Sequence, residues 1–207
     1  MGALFPAAEI LPFPSFMNRF AGQSAYVIGR GETSFDYDQL SDVNDPVFFI
    51  NDAVSLEAKS RGSTFFFAHD RQLLPWLNRD LKSIAVLPRN GRMFTQTLQG
   101  LPFSGRVVFY NWTEKDRALL TAARDYIAQK QKLFTHSGTI HSAIHFAWFC
   151  GIERVRFIGC QGIGGHDPRL ANRSNSTLDS DYSGIRQAQD MLVQVLGLHA
   201  EYLDAKE

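Results

Sequence analysis

Pro46-Val47-Phe48-Phe49-Ile50-Asn51 is a short apolar run that stops on a polar residue. Ser63-Thr64-Phe65-Phe66-Phe67-Ala68-His69 repeats the pattern a few residues later. A strand with one wet face would alternate apolar and polar positions. A continuous β-branched and aromatic run instead marks a strand buried on both faces of a parallel sheet. Four further runs share this character: Ala25-Tyr26-Val27-Ile28, Ser83-Ile84-Ala85-Val86-Leu87, Arg106-Val107-Val108-Phe109-Tyr110 and Arg154-Val155-Arg156-Phe157-Ile158-Gly159. Between the runs the sequence predicts helices over 54–61, 71–81, 113–132, 139–151 and 183–196. Pro75 suits the first turn of the second. Thr113 and Asp116 read as the N-cap and acidic first turn of the third. The fourth is apolar nearly all round, which predicts a buried helix. Strands alternating with helices give an α/β class: a doubly wound, mostly parallel, Rossmann-like sheet with helices on both faces.

The 207 residues suit a single domain over 24–207, preceded by an arm over 1–23 that holds Pro6, Pro12 and Pro14 and packs along the surface. Hydrophobic residues make up 44% and charged residues 20%, which excludes a disordered chain. Lys+Arg and Asp+Glu are both 21, so there is no basic excess to displace counterions from nucleic acid. Cys150 and Cys160 each sit in an apolar stretch and read as buried free thiols, which fits a reducing cytoplasm. No run reaches the roughly 18–20 apolar residues of a membrane span, and the N-terminus lacks the basic region of a secretory signal. A cytoplasmic location is expected, with room for peripheral membrane association and for a homo-oligomer. Residues 88–105 read as a long loop. Residues 161–182 are small and polar and read as a lid in the C-terminal half.

In an open parallel sheet, ligands bind beyond the carboxyl ends of the strands, where the strand order switches. Polar groups gather at several such ends: Gly29-Arg30-Gly31-Glu32-Thr33-Ser34, Asn51-Asp52, His69 and Gln161. The Gly29-Arg30-Gly31 loop reads either as a phosphate cradle or as a tight strand-to-helix turn. Ser137-Gly138-Thr139 opens the buried helix, with Ser137 as its cap and an anion site as an addition. His141 and His145 share a helix face, a spacing that metals use, yet no carboxylate series accompanies them. They read as packed core histidines. His166-Asp167 alone reads as a solvated turn.

Ile28-Gly29-Arg30-Gly31-Glu32-Thr33-Ser34, Asp36-Tyr37-Asp38-Gln39-Leu40 and the strand ending in Asn51 resemble the start of bacterial sialyltransferases with one nucleotide-binding domain. Ser137-Gly138, the helix with Ala143, Ala147 and Gly151, and Val155-Arg156-Phe157-Ile158-Gly159 look like the same family's later unit. Related sugar-transferase-like families share the skeleton. The resemblance spans about residues 24–72 and 133–197. It implies transfer of a sugar from a CMP-activated donor to a glycan or other hydroxyl acceptor, with no metal and no further cofactor. It places the nucleotide against Gly29 to Ser34, Asn51 and Asp52. Ser137, Gly138 and Thr139 would meet the sugar carboxylate or phosphate, and His69 the donor. Gln161 stands where the family usually carries Asp. The family's general-base histidine has no clear counterpart near Leu178-Asp179-Ser180-Asp181-Tyr182-Ser183.

A base must take the acceptor proton and donors must stabilise the leaving phosphate. His166, Asp181 and His69 are the candidate bases, in that order, and Tyr182 a candidate phosphate donor. Two other classes fit the same sheet. One is a nucleotide-sugar-binding protein without catalysis, favoured by the missing histidine. The other is a phosphotransfer enzyme related to the pterin pyrophosphokinases.

Overall fold

The structure is a computed structural model that describes residues 8–69, 81–89, 103–136, 138–160, 167, 169–170 and 183–203. Among the described residues nine strands form one sheet: β1 (Glu9–Ile10), β2 (Ser24–Ile28), β3 (Val47–Ile50), β4 (Thr64–Phe67), β5 (Ile84–Pro88), β6 (Arg106–Glu114), β7 (Lys132–Thr135), β8 (Arg154–Ile158) and β9 (His199–Tyr202). Their order is β1-β6-β5-β4-β3-β2-β8-β9, with β7 also on β6, and every pairing is parallel. Three α-helices are described: α1 (Arg124–Lys130), α2 (Thr139–Phe149) and α3 (Ser183–Val195). The α/β doubly wound class expected from the apolar runs is the class observed.

Strand parity divides the core in two. Phe48, Phe65, Phe67, Val86, Val108 and Tyr110 face α2, with Phe146 at the centre of the aromatic contacts. Phe49, Phe66, Leu87 and Phe109 face the opposite way, against 3-10 segments at Tyr37–Asp42 and Asn51–Lys59. The continuous runs are therefore apolar because both sheet faces are covered. α2 is buried along nearly its whole length, as its composition predicts.

Several local readings are corrected. Residues 113–132 are not one helix: β6 runs on to Glu114, a 3-10 turn covers Arg117–Leu120, and α1 and β7 follow. Asp116 does cap, but it caps the 3-10 turn, accepting from the Ala118 N–H. The helix expected over 54–61 is the 3-10 segment Asn51–Lys59. Residues 9–20 are no surface arm. Phe13 and Phe16 are buried in a 3-10 turn and pack on Phe146, and β1 joins the sheet edge. The expected helix over 71–81, most of the loop over 88–105 and most of the 161–182 lid lie outside the described residues. Cys150 and Cys160 are free and buried.

Candidate functional site

From β2 the connections step through β3, β4, β5 and β6 on one side, while β8 and β9 lie on the other. The strand order therefore switches between β2 and β8, the position beyond whose carboxyl ends open parallel sheets bind their ligands. Gly29, Gly31 and Gly159 pack backbone on backbone there. The Gly29 N–H donates to the Ile158 carbonyl and the Gly31 N–H to the Gly159 carbonyl, each at 2.8 Å. A methyl on Gly29 would stand 2.3 Å from the Gly159 oxygen, and one on Gly31 2.8 Å from it. These glycines are required by the approach of β2 to β8. Their two N–H groups are used inside the protein, so neither is open to a phosphate.

Several polar side chains surround this crossing. Arg30 meets Asp52 at 3.4 Å, with Asp52 buried at the end of β3. Asn51 holds a left-handed backbone (φ 56°), and its buried Oδ1 has no hydrogen-bond partner among the described residues. Glu32 and Ser34 are exposed. Thr33 accepts from the Phe35 N–H through Oγ1.

Asp167 overturns the solvated-turn reading. It is 1% exposed and accepts from the Tyr37 hydroxyl at 3.0 Å and from the Arg169 guanidinium at 2.6 Å. Arg169 continues to the Thr33 and Phe35 carbonyls and lies over the Tyr37 ring. The Asp167 N–H donates to the Arg30 carbonyl. This unit fixes the chain that follows β2. Burial pushes the Asp167 carboxyl up, but the hydrogen bonds from Arg169 and Tyr37 outweigh it and hold the group below its ordinary value.

A second constellation lies at the same carboxyl edge on the α2 face. His69, just past β4, meets the Tyr110 hydroxyl through Nε2 and packs beside Trp112. Tyr110 is fully buried and also bonds Ser142 in α2, whose Oγ lies 2.5 Å from Thr135 Oγ1 at the end of β7. His141 follows in the first turn of α2, with its ring 5.9 Å from that of His136. Burial pushes His69 down to about 3, with His141 adding to the effect. Burial pushes His141 down to about 4, partly offset by the Ile185 carbonyl. Burial raises Tyr110 above its ordinary value. The imidazoles of His69 and His141 are therefore neutral at neutral pH.

α2 begins at Thr139 with Gly138 in the N-cap position and no side-chain cap. The cap expected from Ser137 is thus displaced by one residue to a glycine. His145 is a core histidine, as expected. Its Nδ1 accepts the Phe134 N–H at 2.8 Å. Among the described residues no group of three or more His, Cys, Asp or Glu could hold a metal ion.

The structure brings His69 into one network with Tyr110 and Ser142, and Arg30 together with Asp52. It places both sets on one edge of the sheet. Ser137, Gln161, His166, Asp181 and Tyr182 lie outside the described residues. Tyr110, Thr135, His141 and Ser142 went unread as site residues. Carrying strand parity past the strand ends was the available signal, since Phe65, Phe67 and His69 fall on one face, as do Val108 and Tyr110. No protein-family model matches the chain, and no curated protein matches it. Among the described residues no helix is long and apolar enough to cross a membrane.

Proposed function

We propose that this chain is a glycosyltransferase of sialyltransferase type that moves a sugar from a CMP-activated donor to a hydroxyl acceptor. The observation that carries the reading is a set of buried acceptors without donors at the carboxyl edge. Asn51 Oδ1 and His141 Nδ1 both have no hydrogen-bond partner among the described residues. A buried polar atom left unpaired costs about 1–3 kcal/mol. Ribose, the cytosine amino group and a sugar all bring the hydrogens such atoms need. The start of α2, where the N-cap Gly138 brings no side-chain cap, supports a place for the donor phosphate. The Gly29–Gly31 turn then shapes the β2–β8 crossing rather than binding the anion through its amides.

The test is thermal stabilisation by CMP, CDP, UDP and ADP, each with and without EDTA. CMP at about 100 times its Kd should add about 2.7 kcal/mol. Absence of stabilisation by any cytidine nucleotide would overturn the reading. Stabilisation by CMP without transfer or hydrolysis of a CMP-sugar would instead favour a binding protein.

A further inference from the structure

Among the described residues the sheet ends in β1 on one side and β9 on the other. β9 is the longer edge, four residues against two, and its first three residues are exposed. Its inner side is fixed: the His199 N–H donates to the Glu153 carbonyl and the Leu203 N–H to the Phe157 carbonyl. His199, Glu201 and Leu203 therefore turn their backbone groups toward β8. Ala200 and Tyr202 turn theirs outward, where the described residues supply no further strand. Side chains hold this edge in place on both faces. On the α3 face Tyr202 stacks on Phe157 at 5.0 Å, lies under the Arg186 guanidinium at 3.8 Å and donates its hydroxyl to Asp190 at 2.7 Å. On the opposite face the Arg156 Nε donates to Glu201 Oε2 at 3.1 Å. An edge already ordered in this way loses little further freedom when a strand is added to it.

We propose that β9 is the docking edge for a second copy of this chain, the two β9 strands pairing antiparallel about a two-fold axis at Ala200. The register follows from the side chains. His199 and Glu201 lie on one sheet face, two residues apart. With the axis at Ala200, His199 stands opposite Glu201 of the partner subunit, and Glu201 opposite the partner subunit's His199. Each imidazole then offers an N–H to a carboxylate. An axis at Glu201 would set two carboxylates face to face, one at His199 two imidazoles, and one at Tyr202 would set Glu201 against a leucine. Backbone parity agrees with the choice. Ala200 points its N–H and C=O outward, so the two copies of Ala200 exchange both bonds as a hydrogen-bonded pair. The pairing also covers an edge that would otherwise template association with other chains. It makes one continuous sheet from two copies, whose carboxyl edges, and candidate sites, point in opposite directions. The pairing does not rest on the transferase reading.

Sedimentation equilibrium of the full chain, from about 1 to about 100 μM, tests it. The expected species has twice the mass of the chain. Ala200→Pro removes the outward N–H that both central bonds need, while the bonds of His199 and Leu203 to β8 stay. Proline is tolerated at an edge whose N–H faces solvent, so this variant should be a folded monomer. His199→Glu sets carboxylate against carboxylate and should weaken association at least about tenfold. His199→Lys keeps unlike charges opposed and should associate within about threefold of the unmodified chain. Position 199 is exposed, so neither change touches the core. Circular dichroism reports the fold of each variant. Should Ala200→Pro unfold, the two His199 variants decide. An unmodified chain that is monomeric at about 100 μM overturns the proposal. A dimer that folded Ala200→Pro or His199→Glu leaves intact overturns it too, since the interface then lies elsewhere. Equal weakening by glutamate and lysine at position 199 refutes the register and the proposal with it. None of these readouts depends on CMP binding or turnover.

Discussion

Gly22 and Gly159 both hold positive φ, at 75° and 60°, yet they differ in surroundings. A methyl on Gly22 meets nothing within 4 Å, whereas one on Gly159 meets the Gly31 oxygen at 2.6 Å. Gly22→Ala should therefore cost only the backbone strain, about 1 kcal/mol. Gly159→Ala should cost about 3 kcal/mol or more, because the β2–β8 crossing must open. Urea midpoints of the two variants check the difference. At Asp167 the sign of the pH effect follows from its lowered pKa. Its contribution is present above its ordinary value of 3.8 and is lost as pH falls below that toward the depressed folded value. Asp167→Asn should cost about 2 kcal/mol at pH 7, and the gap from the unmodified chain should close in acid. A gap that is constant from pH 7 to pH 3 would refute the ion-pair account. The sequence around Asp167 suggested a solvated turn because its partner Tyr37 lies 130 residues away. Small polar neighbours say nothing about a bond of that range.

Helix α2 and strand β7 are joined by the Phe134 N–H donating to His145 Nδ1 and by the contact between the Ser142 and Thr135 hydroxyls. His145→Leu keeps an apolar side chain but leaves that buried amide unpaired, which should cost about 2–3 kcal/mol. His145→Asn puts an oxygen near the place of Nδ1 and should recover part of the loss. Equal urea midpoints for the two variants would show that the bond to Nδ1 adds nothing to stability. The elements legible in the sequence were those buried on both sides, such as Phe65-Phe66-Phe67. The ones missed lie at margins. β1 is two exposed residues, and β9, His-Ala-Glu-Tyr, is mostly exposed. β7 follows so closely on α1 that the stretch from Thr113 carried a helical spacing. The break there is made by Lys115 and Gln131, both in left-handed backbone, which neither residue type announces. Strand ends were legible as candidate sites because polar residues stop apolar runs at Asn51 and His69. Tyr110 was hidden because it ends such a run while looking like core.

Across the molecule, acid stability is set by histidines that fold without charge. Burial pushes His69 and His145 to about 3 and His141 to about 4. A base whose folded pKa is lowered contributes nothing above its unfolded value near 6.5. Below that value the unfolded chain binds protons that the folded chain refuses, so stability falls with pH until the folded pKa is reached. Each group gives a slope of about 1.4 kcal/mol per pH unit, so the three together give about 4 kcal/mol per unit. A protein with about 5–10 kcal/mol of stability, the lower part of the typical range, should therefore unfold between about pH 4 and 5.5. Proton uptake on unfolding at pH 5, read by calorimetry in buffers of different ionisation heat, should approach three. Uptake near zero would mean the rings charge in place.

The position of β2 bears on synthesis. β3, β4, β5 and β6 can pair in the order in which they leave the ribosome, each on the strand before it. Among the described residues, the other edge of Ser24–Ile28 has Arg154–Ile158 as its partner. At about 5–20 residues per second that partner emerges many seconds after β2. During this interval the nascent chain carries an unpaired strand edge able to template pairing with another molecule. Heat shock or crowded polysomes should thus trap truncated chains ending before residue 154 far more readily than finished ones. Until β8 is made, the strand destined for the middle of the sheet is its open margin.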